Sequence, residues 1–257
     1  MLTPPEIARS LLAAGESKAR LPFGKMLLLA ILAGAYIALA GVGATAAAVT
    51  VESGSLAKLL SACVFPAGLS MVILAGSELF TGNCLMVMAL LERRITPAQL
   101  LRNWLTVYLG NAVGGAAVAA LAVYSHTASL FGDGLARSMV SIAESKAALG
   151  FGDAFLRGVL CNFLVCLAVW MAAASKRAEG KVIALFFPIL LFVLCGYEHC
   201  IANLYYLPAG AFAAAEYGVE TTLTLAGCLE NLAAVTLGNL VGGAALGVGY
   251  RFAYLKE

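Results

Sequence analysis

Residues 76–83 read GSELFTGN, and residues 196–203 read GYEHCIAN. Each octapeptide places a glycine, a glutamate and an asparagine at the same offsets, and each one interrupts a long apolar stretch. A second matching pair follows, LGNAVGGA at residues 109–116 and LGNLVGGA at residues 237–244. Self-similarity of this kind within one chain predicts two structurally equivalent halves.

The composition excludes a water-soluble globular protein. Of the 257 residues, 62% are hydrophobic and only 12% are charged, and the mean hydropathy is +0.93. So little polar surface cannot cover a water-exposed domain. The net charge of +2 is small and the basic residues are scattered, which argues against a nucleic-acid partner. We therefore expect the lipid bilayer to be the main environment of the chain.

The apolar segments are long enough to cross a membrane. Six uncharged runs approach or exceed the length of about 20 residues that a spanning helix needs; they are residues 26–50, 59–77, 103–132, 158–175, 182–197 and 231–250. Two shorter apolar stretches, 79–91 and 200–215, directly follow the second and fifth runs. This pattern predicts an all-α membrane protein with six transmembrane helices, of which helices 2 and 5 are broken.

The repeat divides the single transmembrane domain, residues 1–257, into an N-terminal segment and two halves. We place the N-terminal segment at 1–25, the first repeat at 26–125 and the second repeat at 154–250. An odd number of crossings in each half requires the two halves to be inverted in the membrane. Lys and Arg, including Lys256, are concentrated in the segments that this topology places on one side, which predicts that both termini are cytoplasmic.

The start of the N-terminal segment leaves two interpretations open. Ile7, Leu11 and Leu12 alternate with charged residues, which fits a short amphipathic helix on the membrane surface. An ordinary cytoplasmic arm fits the same pattern equally well. Neither interpretation gives this segment a catalytic role.

Both breaks place polar groups near the middle of the membrane, where burying them without a partner costs free energy. An unpaired backbone group in hydrocarbon costs several kcal/mol, so irregular backbone there must line a cavity or be buried in protein. The amides at the start of the half-helix that follows each break carry partial positive charge. Two such ends that meet at mid-membrane favour an anion. The sequence therefore predicts a pore for small anions.

Two side chains in the breaks suit a permeation site. His199 lies in the second break and Thr81 in the first. Ionisable residues within a membrane are rare and costly, so we interpret His199 as functional rather than as a packing residue. The second histidine, His126, falls in a predicted loop.

The carboxylates of the breaks admit two interpretations. Glu78 and Glu198 could bind a cation or a proton, or they could accept hydrogen bonds from free amides of the break. We favour the structural role, together with Asn83 and Asn203 of the same octapeptides.

No catalytic or cofactor-binding motif appears in a suitable context. Cys195, His199 and Cys200 include metal-ligand types, but no fourth ligand is evident. Phosphate-binding loops, nucleophile elbows and dinucleotide fingerprints are missing. We therefore expect neither a metal nor a cofactor, and no enzyme activity.

Four segments together resemble the formate/nitrite transporter family. They are GSELFTGN, CNFLVCLAVWMA at residues 161–172, GYEHCIAN and VTLGNLVGG at residues 235–243. The similarity extends from about Leu27 to Tyr250. Two features depart from the usual pattern, because Cys200 stands where serine is usual and the connection between spans five and six is short.

The resemblance implies an aquaporin-like helical fold, a homopentamer and one pore per protomer for formate, nitrite or hydrosulfide. It also implies apolar constrictions and a set of pathway residues by position in the matching motifs. The implied constriction residues are Phe65, Leu69, Leu79, Phe80, Val165 and Phe192, and the implied pathway residues are His199, Thr81, Lys146, Asn162 and Asn239.

The mechanism that we expect combines these roles. Lys146 attracts the anion, the constriction strips its water, and His199 donates a hydrogen bond or a proton so that the solute crosses as the neutral acid. Formate is the first candidate substrate. An aquaporin-type channel for neutral solutes is the main rival, although neither break contains Asn-Pro-Ala. A membrane enzyme dependent on metal or thiol groups is a second rival.

Overall fold

The computed structural model describes residues 1–255, so Lys256 of the charge bias lies outside the described part. Residues 1–255 are helical and contain no strand. The α-helices are α1 Pro4–Ala19, α2 Phe23–Ala48, α3 Gly54–Val64, α4 Pro66–Ala75, α5 Phe80–Asn83, α6 Val87–Leu91, α7 Pro97–Tyr124, α8 Gly134–Ala147, α9 Phe151–Ala173, α10 Ala178–Leu194, α11 Cys200–Tyr217 and α12 Leu225–Tyr254. The predicted all-α class is confirmed.

Five helical segments within residues 1–255 are long and apolar enough to cross a membrane: Phe23–Ala48, Gly54–Ala75, Pro97–Tyr124, Phe151–Ala173 and Leu225–Tyr254. α10 is also apolar but has only 17 residues. Large apolar side chains such as Leu121, Ile183 and Leu229 are more than half exposed on the outer surface. Such a surface is stable only against hydrocarbon or another apolar surface. The exact number of crossings remains a prediction.

Matching glycines bring two helix pairs into close contact. α2 packs along α7, and α9 packs along α12. A Cβ added to Gly114 of α7 would overlap the Ile31 carbonyl oxygen, and one added to Gly242 of α12 would overlap the Val159 carbonyl oxygen. Small residues allow this close backbone approach between apolar helices. The two glycines hold the same position in LGNAVGGA and LGNLVGGA, so the same packing device is used twice.

The helices stop at both octapeptides. α4 ends at Ala75, Gly76 adopts a left-handed φ of 78°, and α5 begins only at Phe80. α10 ends at Leu194, Gly196 has a φ of 69°, and α11 begins at Cys200. A positive φ costs glycine little, which explains why the matching residue is a glycine. The stretch predicted as 200–215 is helical to Tyr217.

The boundaries of α7 and the helix that follows it differ from the apolar-run prediction. The run 103–132 was expected to be one span, but α7 begins earlier, at Pro97 after the Thr96 cap, and ends at Tyr124. His126, Phe131 and Asp133 then adopt positive φ in a series of turns. Hydropathy registers neither caps nor turn geometry, so the run was misplaced at both ends. The following helix α8 was not predicted.

The N-terminal segment is a helix that packs on the protein. The Thr3 and Glu6 side chains form a capping box at the start of α1. Ile7 and Ala8 are buried in a cluster with Met88 and Trp170, and α1 contacts α6, α9 and α12. The helical part of the first interpretation is confirmed, whereas the position of α1 relative to the membrane surface stays a prediction.

Candidate functional site

An asparagine of the LGN motif fixes the first break. Asn111 Oδ1 accepts a hydrogen bond from the backbone N–H of Phe80 at 3.0 Å. Its Nδ2 donates to the carbonyl oxygens of Ala30, at 2.7 Å, and Glu78, at 2.9 Å. The side chain thus satisfies the first amide of α5 and two carbonyls, which removes the cost of unpaired backbone in an apolar interior.

A matching asparagine fixes the second break, and we call Asn111 and Asn239 the two clamps. Asn239 Oδ1 accepts from Cys200 N at 2.9 Å, and Asn239 Nδ2 donates to the carbonyl oxygens of Gly158 at 2.8 Å and Glu198 at 2.9 Å. Each of these three distances is nearly the same as its counterpart at Asn111. Repeated sequence therefore produces a repeated hydrogen-bond network.

The carboxylate of the first break is paired with a lysine from α1. Lys18 Nζ lies 2.7 Å from Glu78 Oε1 and 2.9 Å from Asn83 Oδ1. Asn83 Nδ2 donates to Glu78 Oε2 at 2.7 Å and to Asn103 Oδ1 at 2.9 Å. Glu78 therefore accepts from side chains rather than from amides of the break. No sequence motif marked Lys18, because the pair joins residues 60 positions apart.

The second break repeats this arrangement with a lysine from α8. Lys146 Nζ donates to both oxygens of Glu198, at 2.9 and 3.0 Å. Asn203 Nδ2 donates to Glu198 Oε2 at 2.7 Å and to Asn231 Oδ1 at 2.8 Å. Both carboxylates are thus buried with a cation and an amide donor, which is the condition for keeping a charge at low exposure.

His199 and Thr81 meet across the two halves. Thr81 Oγ1 lies 2.9 Å from His199 Nε2, although the residues are 118 positions apart. His199 Nδ1 accepts from Ala202 N at 3.1 Å. A backbone N–H can only donate, so Nδ1 carries no proton and a neutral ring has its proton on Nε2, directed at Thr81. The same geometry opposes a doubly protonated ring, which would set two N–H groups against each other.

Three cavities follow one another through the protein. The Lys18 vestibule has a volume of about 360 Å³ and is lined by residues that include Lys18, Glu78, Leu69 and Leu79. The Lys146 vestibule has about 140 Å³ and is lined by residues that include Lys58, Lys146, Glu198, Phe65, Phe192 and His199. The neck between them has only about 10 Å³; its lining residues are Ile37, Phe65, Leu69, Leu79, Val165, Ile189, Phe192 and His199.

Shared residues connect the cavities in order. Leu69 and Leu79 line both the Lys18 vestibule and the neck. Phe65, Phe192 and His199 line both the neck and the Lys146 vestibule. The neck volume matches about one water molecule, so a solute passing there must shed its hydration shell. His199 contributes the polar group of an otherwise apolar neck.

Four of the predicted residues line none of the three cavities; they are Phe80, Thr81, Asn162 and Asn239. Phe80 packs edge-on against Trp104 and Tyr108, with ring centroids 6.4 and 5.1 Å away. Asn162 is fully buried, and its Nδ2 donates to the carbonyls of Thr81 at 3.2 Å and Asn239 at 2.7 Å. With Asn239, these side chains hold the breaks in place rather than line one of the three cavities.

The side chains of Cys195, His199 and Cys200, which include metal-ligand types, do not form a metal site in the described part of the chain. Residues 1–255 contain no group of three His, Cys, Asp or Glu side chains that could hold a metal ion. Both ring nitrogens of His199 already have partners, and Cys195 is exposed.

Comparison with known proteins identifies the family. The family model described as formate/nitrite transporter matches residues 5–253. A probable formate transporter of Methanothermobacter thermautotrophicus is 38% identical over 99% of this chain and 98% of its own length. The formate channel FocA of Haemophilus influenzae is 39% identical over 86% of this chain and 84% of its own length.

Solved structures agree with this result. A structure titled as an FNT family ion channel has a TM-score of 0.86 and 32% identity, and it covers 96% of this chain and 98% of that one. A structure titled as a pentameric formate channel with formate bound has a TM-score of 0.80 and 33% identity, and it covers 91% of this chain and 98% of that one. These relatives are transporters or channels and not enzymes, and the present chain is a multi-pass membrane transport protein that belongs to the formate/nitrite transporter family.

Proposed function

We propose that this chain passes small monovalent weak-acid anions through the protomer, with formate as the first candidate, and that passage is linked to a proton through His199. The observation that carries the proposal is the series of two lysine-containing vestibules joined by an apolar neck with one histidine. The names of the relatives, which refer to formate, support formate as the substrate. Nitrite and hydrosulfide are the alternatives.

The proposed topology has six crossings in two inverted repeats. α2, α3 with α4, and α7 would form the first repeat, while α9, α10 and α12 would supply the crossings of the second. The paired clamps of Asn111 and Asn239 support the two-fold relation. With the excess of Lys and Arg on one side, both termini would lie in the cytoplasm, beneath the plasma membrane. The Lys18 vestibule would then open inward and the Lys146 vestibule outward.

The proposed mechanism follows from the cost of charge in the neck. A charge at the bilayer centre costs at least about 2.5 kcal/mol on the mildest scale. The anion would enter a vestibule, where water and the ammonium group of Lys146 or Lys18, each ion-paired with a glutamate, would stabilise it by hydrogen bonds. Before it enters the neck, the anion would take up a proton from the water of the vestibule and cross as the neutral acid. Transport would thus be greater with a proton gradient in the same direction.

His199 would assist as a hydrogen-bond donor in its neutral form. Its Nε2 proton is held by Thr81 at 2.9 Å and can be shared with a solute in the neck. To give up a proton and stay neutral, the ring would first need one at Nδ1, which would break the bond from Ala202 N. We therefore favour a proton that the solute acquires in the vestibule. His199 would then stabilise the solute and its proton in the neck by a hydrogen bond.

A homopentamer is part of the proposal. One solved relative is titled as pentameric, and its structure covers 91% of this chain. Light scattering of the detergent-solubilised protein would give five times the protomer mass. A monomeric species that is fully active would contradict this assembly.

Uptake into proteoliposomes tests the function. We would compare formate, nitrite, hydrosulfide and chloride, with and without a pH gradient, for wild type, His199→Asn and the matched control His126→Asn. His126 is exposed in a turn and lies outside the three cavities. We expect gradient-dependent formate uptake that His126→Asn preserves and His199→Asn loses. If no weak-acid anion crosses faster than chloride, the proposed function is wrong.

A further inference from the structure

The Lys146 vestibule contains a second lysine. Lys58 belongs to α3, and its side chain lines the same cavity as Lys146, Glu198 and His199. Its Nζ lies close to the second break, because a Cβ added to Gly196 would be 4.0 Å from it. The ammonium group is thus placed at the entrance, beside the backbone that positions His199.

The two vestibules differ in net charge. The single charge of Glu198 is paired with Lys146 at 2.9 Å. Among residues 1–255, no carboxylate lies within 4.0 Å of the Lys58 ammonium group. The lining of the Lys146 vestibule therefore carries one net positive charge, from two lysines and one glutamate. The lining of the Lys18 vestibule contains only the Lys18–Glu78 pair and is neutral.

The extra lysine is not a product of the internal repeat. Lys58 precedes Gly76, the break glycine of the first half. The same offset before Gly196 falls on Ala178, which carries no charge. The charge difference between the two vestibules thus comes from a lysine that only the Lys146 vestibule has. The charged side chains that act on Lys58 are Lys146 and Arg157, which are positive, and Glu198, which is paired with Lys146.

We propose that Lys58 is an anion-capture residue that sets the affinity of the Lys146 vestibule for its substrate, a role that rests on the proposed anion passage. A charged cleft with low-dielectric walls concentrates oppositely charged solutes and raises their rate of entry. Lys146 is ion-paired with Glu198. The net positive charge of the vestibule therefore comes from Lys58. Because Lys58 does not line the neck, it acts on capture and not on the crossing step.

Substitution at Lys58 with flux measured at two ionic strengths tests this role. We would measure formate flux in vesicles of determined orientation for wild type, Lys58→Gln, Lys58→Glu and Lys58→Arg. Arg137→Gln is the matched control, because Arg137 is a cation of α8 that does not line the Lys146 vestibule. Size-exclusion profiles would verify that every variant folds.

The expected result is a change in the half-saturating concentration. At about 10 mM salt, where the screening length is about 30 Å, Lys58→Gln should raise the half-saturating formate concentration on the Lys146 side by about threefold and Lys58→Glu by about tenfold. Lys58→Arg and Arg137→Gln should resemble wild type, and maximal flux should be retained. At about 150 mM salt, where the screening length falls to about 8 Å, the differences should shrink.

Two results would overturn the assignment. If the Gln and Glu variants keep the wild-type half-saturating concentration, Lys58 only anchors α3 at the membrane interface. If all three Lys58 variants lose maximal flux equally at both ionic strengths, the residue supports structure. A wild-type protein that carries no weak-acid anion faster than chloride would overturn the proposed function as well, whereas an active wild type confines the failure to Lys58.

Discussion

Removal of one clamp side chain should destabilise the protein by a calculable amount. Asn239→Ala deletes three buried hydrogen bonds, to Cys200 N, Gly158 O and Glu198 O. A hydrogen bond in a membrane protein contributes about 0.6 kcal/mol on average, and a typical buried one about 1 kcal/mol. We therefore expect a loss of about 2–3 kcal/mol in the free energy of unfolding, together with a loss of formate flux as the break moves.

The internal repeat provides the comparison for this prediction. Asn111→Ala deletes the three corresponding bonds, whose lengths are nearly the same as those at Asn239. The two substitutions should therefore lower the thermal midpoint by similar amounts, about 4–12 °C for a chain of this size. Thermal unfolding followed by size-exclusion chromatography measures the shift. A shift below about 1 °C for Asn239→Ala would refute the reasoning, as would a large effect at only one asparagine.

Three further predictions concern separate parts of the molecule. Thr81→Val removes the partner of His199 Nε2 and should lower formate flux by about tenfold, whereas Thr81→Ser should restore it in the same uptake assay. Gly242→Ala forces a Cβ against the Val159 carbonyl and should destabilise the protein by about 1–3 kcal/mol in thermal unfolding, while Gly249→Ala, which meets no atom within 4 Å, should be neutral. Hydrogen bonds from the Thr222 backbone N–H and the Thr221 hydroxyl lower the pKa of the Glu144 carboxyl. The carboxylate should therefore stabilise the loop fully above the unfolded pKa of about 4.3 and lose this effect as the pH falls through the lower folded pKa. Hydrogen exchange of the Thr222 amide, relative to an unprotected amide at the same pH, measures this. Protection should decrease at low pH in wild type and should be lower at all pH values in Glu144→Gln.

The sequence alone was enough to predict the all-α class, and helices end beside both octapeptides that it singled out. Length and polarity decide whether a segment can cross hydrocarbon, and both are properties of consecutive residues. The identical offsets in GSELFTGN and GYEHCIAN predicted equivalent local structures, and Gly76 and Gly196 do adopt similar positive φ angles. Turns and caps determined where α7 begins and ends, so the apolar run 103–132 misplaced both boundaries.

Only the tertiary structure decided which side chains meet. Thr81 reaches His199 across 118 positions, Lys18 reaches Glu78 across 60, and Phe80 turns away from the neck toward Trp104. These contacts depend on how helices distant in sequence pack, and no local pattern encodes a helix-packing angle. The sequence specified repeated local geometry because backbone hydrogen bonding within a helix, glycine conformation and hydropathy depend on neighbouring residues. The cavities, their lysines and their unequal charge emerged only when the two halves packed together.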